Sequence, residues 1–131
     1  MLQQSLDKTI GVPMDDRLQK ALEFSKYRIS LFNRKEDLKI KVNNMLIHAH
    51  NGGIFKSTQE LISFVKLLLD ENTSTVVLID QNGNPIEIQD LRSFFDDMLG
   101  KYFEATNYYH TEYSKLRNAR SVNSIYEFVN D

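Results

Sequence analysis

The stretch TVVLIDQNGNPIEI, residues 75–88, spells out a β-hairpin in its residue order. A β-branched run, Thr75–Ile79, meets a turn at Asp80–Asn84, and Pro85–Ile88 returns. Asn82-Gly83 supplies residues that tolerate the positive φ of a tight turn. Pro85 has no N–H to give a ladder, so it belongs at a strand start or an edge. A second hairpin is predicted upstream. In MLIHAHNGGIFKS, residues 45–57, Leu46–His50 and Ile54–Ser57 flank Asn51-Gly52-Gly53.

The segments around these hairpins carry helical spacing. From 14 to 37, Leu18, Leu22, Ile29 and Phe32 fall on one face, with Phe24 and Leu31 beside them and Lys20, Lys26, Arg34 and Lys35 opposite. Pro13, Asp15 and Asp16 suit the start of that helix. Residues 38–44 fit two patterns. Leu38, Ile40 and Val42 alternate like a strand, whereas Leu38, Val42, Met45 and Ala49 continue the helix. The helix is favoured, to about Asn43. Between the hairpins, Ser57 and Glu60 have the spacing of a capping box. The core LISFVKLLL that follows is apolar nearly all round, which predicts burial on more than one side. From 90 to 120, Leu91, Phe95, Met98, Tyr102, Ala105, Tyr109, Glu112, Leu116 and Ala119 alternate steps of four and three, a heptad-like seam. Asp90 is placed to cap it. The tail 121–131 predicts a short helix.

The order helix, hairpin, helix, hairpin, long helix predicts an α+β fold, a small antiparallel sheet of two hairpins covered by helices. Residues 1–13 read as a flexible arm and 14–131 as a single domain. Its head is expected at about 45–99, on a helical stalk formed by 14–44 and 100–120. A helix over 90–120 would reach about 46 Å, longer than such a head requires.

Composition narrows the function. The 131 residues hold 16 Lys+Arg, 18 Asp+Glu and no Cys. Thiolate zinc sites, iron–sulfur clusters, disulfides and a cysteine nucleophile are excluded. No apolar run is long enough to span a membrane, and the first residues lack the pattern of a signal peptide. The expected location is the cytoplasm. A net charge of −2 opposes bulk attraction to nucleic acid or anionic membranes.

Several residues invite chemistry. His48 and His50 are two apart on a predicted strand and so share a face. With Asp80 or Glu87 they are the candidates for a metal site and for a metal-dependent hydrolase, but the spacing of a ligand set is missing. Asp80, Glu87 and Gln89 loosely follow the acid…acid-x-Lys arrangement of metal-dependent nucleases, with Gln89 in place of the lysine. DQNGN fails as a calcium loop because Gly83 comes fourth and Leu91 twelfth. No phosphate-cradling loop and no nucleophile elbow occur. No catalytic residue and no cofactor is therefore expected. Tyr102, Tyr108, Tyr109, Tyr113 and Tyr126 cluster with Lys101, Lys115, Arg117 and Arg120. That mixture suits nucleic acid, and it suits a protein interface better, because interfaces favour Tyr without a basic excess.

Two stretches, HNGGIFKSTQELISFVKLLLD at 50–70 and VVLIDQNGNPIEIQDLRSFFDDMLGKYFEATNYYHTEYSKLRNARSV at 76–122, resemble short uncharacterised proteins of tailed phages of marine cyanobacteria. The resemblance implies an intracellular viral protein of the infected host. It implies no activity and assigns no functional residue.

The sequence thus predicts a non-enzymatic interaction or assembly protein. The long C-terminal helix would self-associate or bind a partner helix, with Tyr102, Tyr109 and Leu116 as buried anchors and Tyr113 at the edge. A nucleic-acid-associated protein is the alternative, and a metal-dependent hydrolase stands behind it.

Overall fold

The computed structural model describes residues 15–119. The arm at 1–13, the helix start at Pro13 and the tail helix at 121–131 lie outside the described residues. The chain runs α1 (Asp16–Met45), β1 (Ile47–His50), β2 (Gly53–Lys56), α2 (Gln59–Asp70), β3 (Val76–Ile79), β4 (Pro85–Ile88) and α3 (Leu91–Asn118). This is an α+β fold with long first and last helices. Residues 38–44 are helical, and α1 runs on to Met45. Leu38 and Val42 are buried while Ile40 between them is 60% exposed, which helical spacing produces and a strand, with 38, 40 and 42 on one face, would not.

The hairpins form as expected but by different means. β1 and β2 pair antiparallel with His50 opposite Gly53. Asn51 (φ 49°) and Gly52 (φ 81°) both adopt the left-handed backbone that a two-residue turn demands. β3 and β4 pair with Ile79 opposite Pro85. Their five-residue turn is organised by one side chain: Asp80 Oδ1 accepts from Asn82 N (3.0 Å) and Asn84 N (2.8 Å).

Each hairpin is its own two-stranded ladder. They are stitched at Ile54, whose N–H donates to Asp80 Oδ2 (2.9 Å) and whose carbonyl accepts from Gln81 N (2.8 Å), and at Asn51, whose Nδ2 donates to Glu87 O (3.0 Å). The turn of the second hairpin thereby occupies the outer edge of β2, which would otherwise be open to pairing. Gly53 allows the close approach: a Cβ there would lie 2.5 Å from Ile86 Cγ1.

Two hairpins and two helices close over one apolar cluster of Phe55, Val65, Leu78, Ile88, Leu91, Phe94, Phe95 and Met98. Alternate positions of the strands supply it, as the two-residue period requires. Asp90 caps α3, its Oδ1 accepting from Ser93 N (3.1 Å). Gly100 leaves that helix unbroken.

The cap of α2 differs from expectation. Thr58, not Ser57, is the N-cap, and its Oγ1 accepts from Leu61 N (3.2 Å). Ser57 is fully buried, and its N–H donates to Leu46 O (2.8 Å), so it extends the hairpin instead. The expected burial of α2 on more than one side is also corrected. Val65 is buried and Leu61, Ile62, Leu68 and Leu69 pack on the cluster, while Phe64 and Leu67 are 47% and 55% exposed. The covering elements all lie on one side of this helix.

The chain forms two compact units. One is Glu36–Ser114, which reaches beyond the head expected at 45–99. It takes in Leu38 and Val42 of α1 and Ala105 of α3, all buried, and Lys41 Nζ lies 4.8 Å from the centre of the Tyr108 ring. The other joins the described residues up to Lys35 with those from Lys115. Within it, Tyr27 OH donates to Ala119 O (2.9 Å), and Ser30, Leu116 and Ala119 are buried.

Candidate functional site

His48 and His50 do share one face of β1, and what they meet there is an aromatic ring. The His48 and Phe94 ring centres are 5.6 Å apart, and His50 meets the same ring edge-on at 5.1 Å. His48 is 8% exposed, and its Nε2 has no protein partner. Loss of water holds its pKa below the ordinary value. Lys101 and His50 push the same way, and Asp97 opposes them.

Asp80 has a structural task. Three backbone N–H groups, from Ile54, Asn84 and Asn82, hold its pKa below the usual carboxylate value despite its burial. Glu87 stands opposite Val77 in the second ladder. It shares an open cleft of about 390 Å³ with His50, Asn51, Gln89 and Asp90. So His50 and Glu87 face one cleft, whereas His48 lies against Phe94 and Asp80 within its turn. Among the described residues no three His, Asp or Glu side chains come together in a way that could hold a metal ion. The strand period was right about the shared face of the histidines. It carried no information on what covers that face.

The tyrosines of α3 are engaged within the chain. Tyr102 OH accepts from Gln59 Nε2 at 2.6 Å. The Tyr108 ring carries Lys41, whose ammonium pKa it raises. Tyr109 and Tyr113 meet with tilted rings, 6.0 Å between centres, and with Thr106 and His110 line a shallow depression of about 410 Å³. Of the four expected anchors, Tyr102 and Tyr109 are half-buried, Tyr113 is exposed, and Leu116 is 0% exposed. Leu116 is thus buried within the chain rather than presented on its surface.

The open apolar surface is on α1. At about 100° per residue, its apolar residues fall into two rows on roughly opposite sides. Over the turns that carry the outer row, the inner row includes the half-buried Tyr27 and Leu31 and the exposed Phe24 (60%). The outer row is Leu18, Leu22, Ile29 and Phe32, between 45% and 63% exposed. This outer row is the face read from the sequence as the helix's apolar side. Sequence spacing found the row and could not say that another would be the covered one.

No family model, characterised protein or solved structure matches this chain. Among the described residues, no helix is long and apolar enough to cross a membrane.

Proposed function

We propose that this chain is a non-enzymatic assembly module that associates with further copies of itself through its long helix α1. The observation that carries this reading is the outer row of α1. Four large apolar side chains at steps of four, seven and three are exposed on a helix whose opposite side is half-buried at Tyr27 and Leu31. Isolated exposed apolar residues are ordinary, but an aligned row of four is the pattern of a helix interface. The α3 tyrosines, paired with Gln59, Lys41 and each other, support a role in holding the chain together rather than in stacking bases. In keeping with the resemblance to phage proteins, the module would act in the cytoplasm of an infected host.

Sedimentation or light scattering over a range of concentrations tests this reading. A mass rising above 15.3 kDa is expected for the natural chain. The double variant Leu22→Asp, Ile29→Asp should stay monomeric with its circular dichroism unchanged. A natural chain that remains monomeric throughout would end the proposal.

A further inference from the structure

The surface that receives the outer row of α1 can be chosen by charge. Residues 16–35 hold six Lys or Arg and two Asp or Glu, a net +4. On a helical projection the borders of the outer row are basic, with Lys26 (at its border, not opposite it as the spacing predicts) on one side and Arg17 and Arg28 on the other, while Asp16 and Glu23 fall on the far side. Packing this face against the same face of a second copy would bring basic borders together, and like charges across an interface are unfavourable. The complementary surface should be apolar with acidic borders.

The molecule presents one. Residues 36–114 hold six Lys or Arg and twelve Asp or Glu, a net −6. On α2 and its C-cap, Glu60, Phe64, Leu67 and Glu71 follow steps of four, three and four, so they form one row. All four are exposed, Phe64 and Leu67 by about half. The acidic ends of this row match the basic borders of α1, and its two apolar residues match the α1 stripe. That stripe also has a notch for one of them. Ser25 lies in the row between Leu22 and Ile29, and it is small and exposed, a hole of the kind a large side chain fills in helix pairing.

Resting on the self-association proposed above, we infer that the outer row of α1 in one copy docks on the Glu60–Phe64–Leu67–Glu71 row of α2 in a second copy. The two surfaces are different, so the contact is heterologous: a joined pair keeps one free α1 row and one free α2 row, and growth proceeds head to tail into rings or filaments.

Complementation between one-sided variants tests this. Leu22→Asp with Ile29→Asp removes the α1 surface, and Phe64→Asp with Leu67→Asp removes the α2 surface. Each variant alone should be monomeric by light scattering. Mixed in equal amounts they should give a species of twice 15.3 kDa and nothing larger, because only one intact pair of surfaces remains. If the α2 variant assembles like the natural chain while the α1 variant does not, the α2 contact is wrong and self-association through α1 alone survives. If both variants are monomeric and the mixture stays so, the head-to-tail contact is overturned. A natural chain that never associates removes this contact and the assembly function together.

A charge pair guards against misfolding of the apolar variants. Glu60→Lys with Glu71→Lys, and Lys26→Glu with Arg28→Glu, change exposed positions only. Each pair should weaken association alone, by about tenfold or more, and the mixture should restore it. Failure of the mixture to recover would count against the α2 surface.

Discussion

Apolar residues at steps of four and three occur on both long helices, and they meet opposite ends. On α3 the row from Leu91 to Ala119 is buried or half-buried at every one of its nine positions. On α1 the row Leu18, Leu22, Ile29 and Phe32 is exposed. The pattern is the same, and the difference lies in what the rest of the chain brings near. The α3 row begins beside two hairpins and α2, and it passes into the Glu36–Ser114 cluster through Leu91, Phe95 and Met98. The α1 row lies on the side of its helix away from the half-buried Tyr27 and Leu31. A periodic row shows that a helix can bury a face. It does not show that the chain itself supplies the cover.

The sharpest way to break this comparison is to remove bulk from the covered row. Met98 is fully buried in the cluster. Met98→Ala should lower unfolding free energy by about 2–5 kcal/mol, measured in urea. A change below about 1 kcal/mol would mean the row is not packed as described.

The next effect concerns the cover itself. Gly53→Ala would place a Cβ against Ile86, a residue packed on the same cluster. A cost of about 1–3 kcal/mol is expected, with the m-value preserved. Serving as a control, Gly52→Ala meets open space and suffers only the strain of its positive φ.

A smaller effect should appear with pH. His48 is covered by Phe94 and sits near His50 on β1 and Asp97 and Lys101 on α3. Its folded pKa lies below the ordinary 6.5, so between those values the unfolded chain binds a proton that the folded chain resists. Its contribution is therefore intact above pH 6.5 and declines as pH falls through that window. Urea melts of the natural chain and of His48→Leu at pH 7.5 and 5.5 should show this loss in the natural chain alone. An equal decline in both would assign it elsewhere.

The smallest effect sharpens the comparison from the exposed side. Leu18→Gln on the outer row should change monomer stability by less than about 0.5 kcal/mol, because that side chain is half-exposed already. A loss of the size expected for Met98→Ala would show that the row is covered after all.

Much of the fold was legible in local chemistry. Asn51-Gly52 and Asn82-Gly83 mark turns because their backbones reach positive φ, and the observed φ values at Asn51, Gly52 and Gly83 lie there. Asp90 caps α3 for the reason any short acceptor side chain does. Position 57 misled because Ser57 and Thr58 offer the same hydroxyl one residue apart. Leu46 claims the N–H of Ser57, and that long-range bond settles which one caps. The functional candidates were less legible. Alternation put His48 and His50 on one face but could not reveal Phe94 beneath them, 44 residues further along.

The sequence by itself determined the elements: where each helix and strand lies, where turns bend, and which residues could form apolar rows. These follow from interactions over a few residues, whose energies depend on spacing and residue type. Tertiary structure alone decided which rows are covered, that Asp80 joins its own turn to Ile54, and that Leu116 is closed while Leu22 and Phe64 are open. Those outcomes depend on which distant segments meet, and burial is a property of the neighbours a residue acquires rather than of the residue.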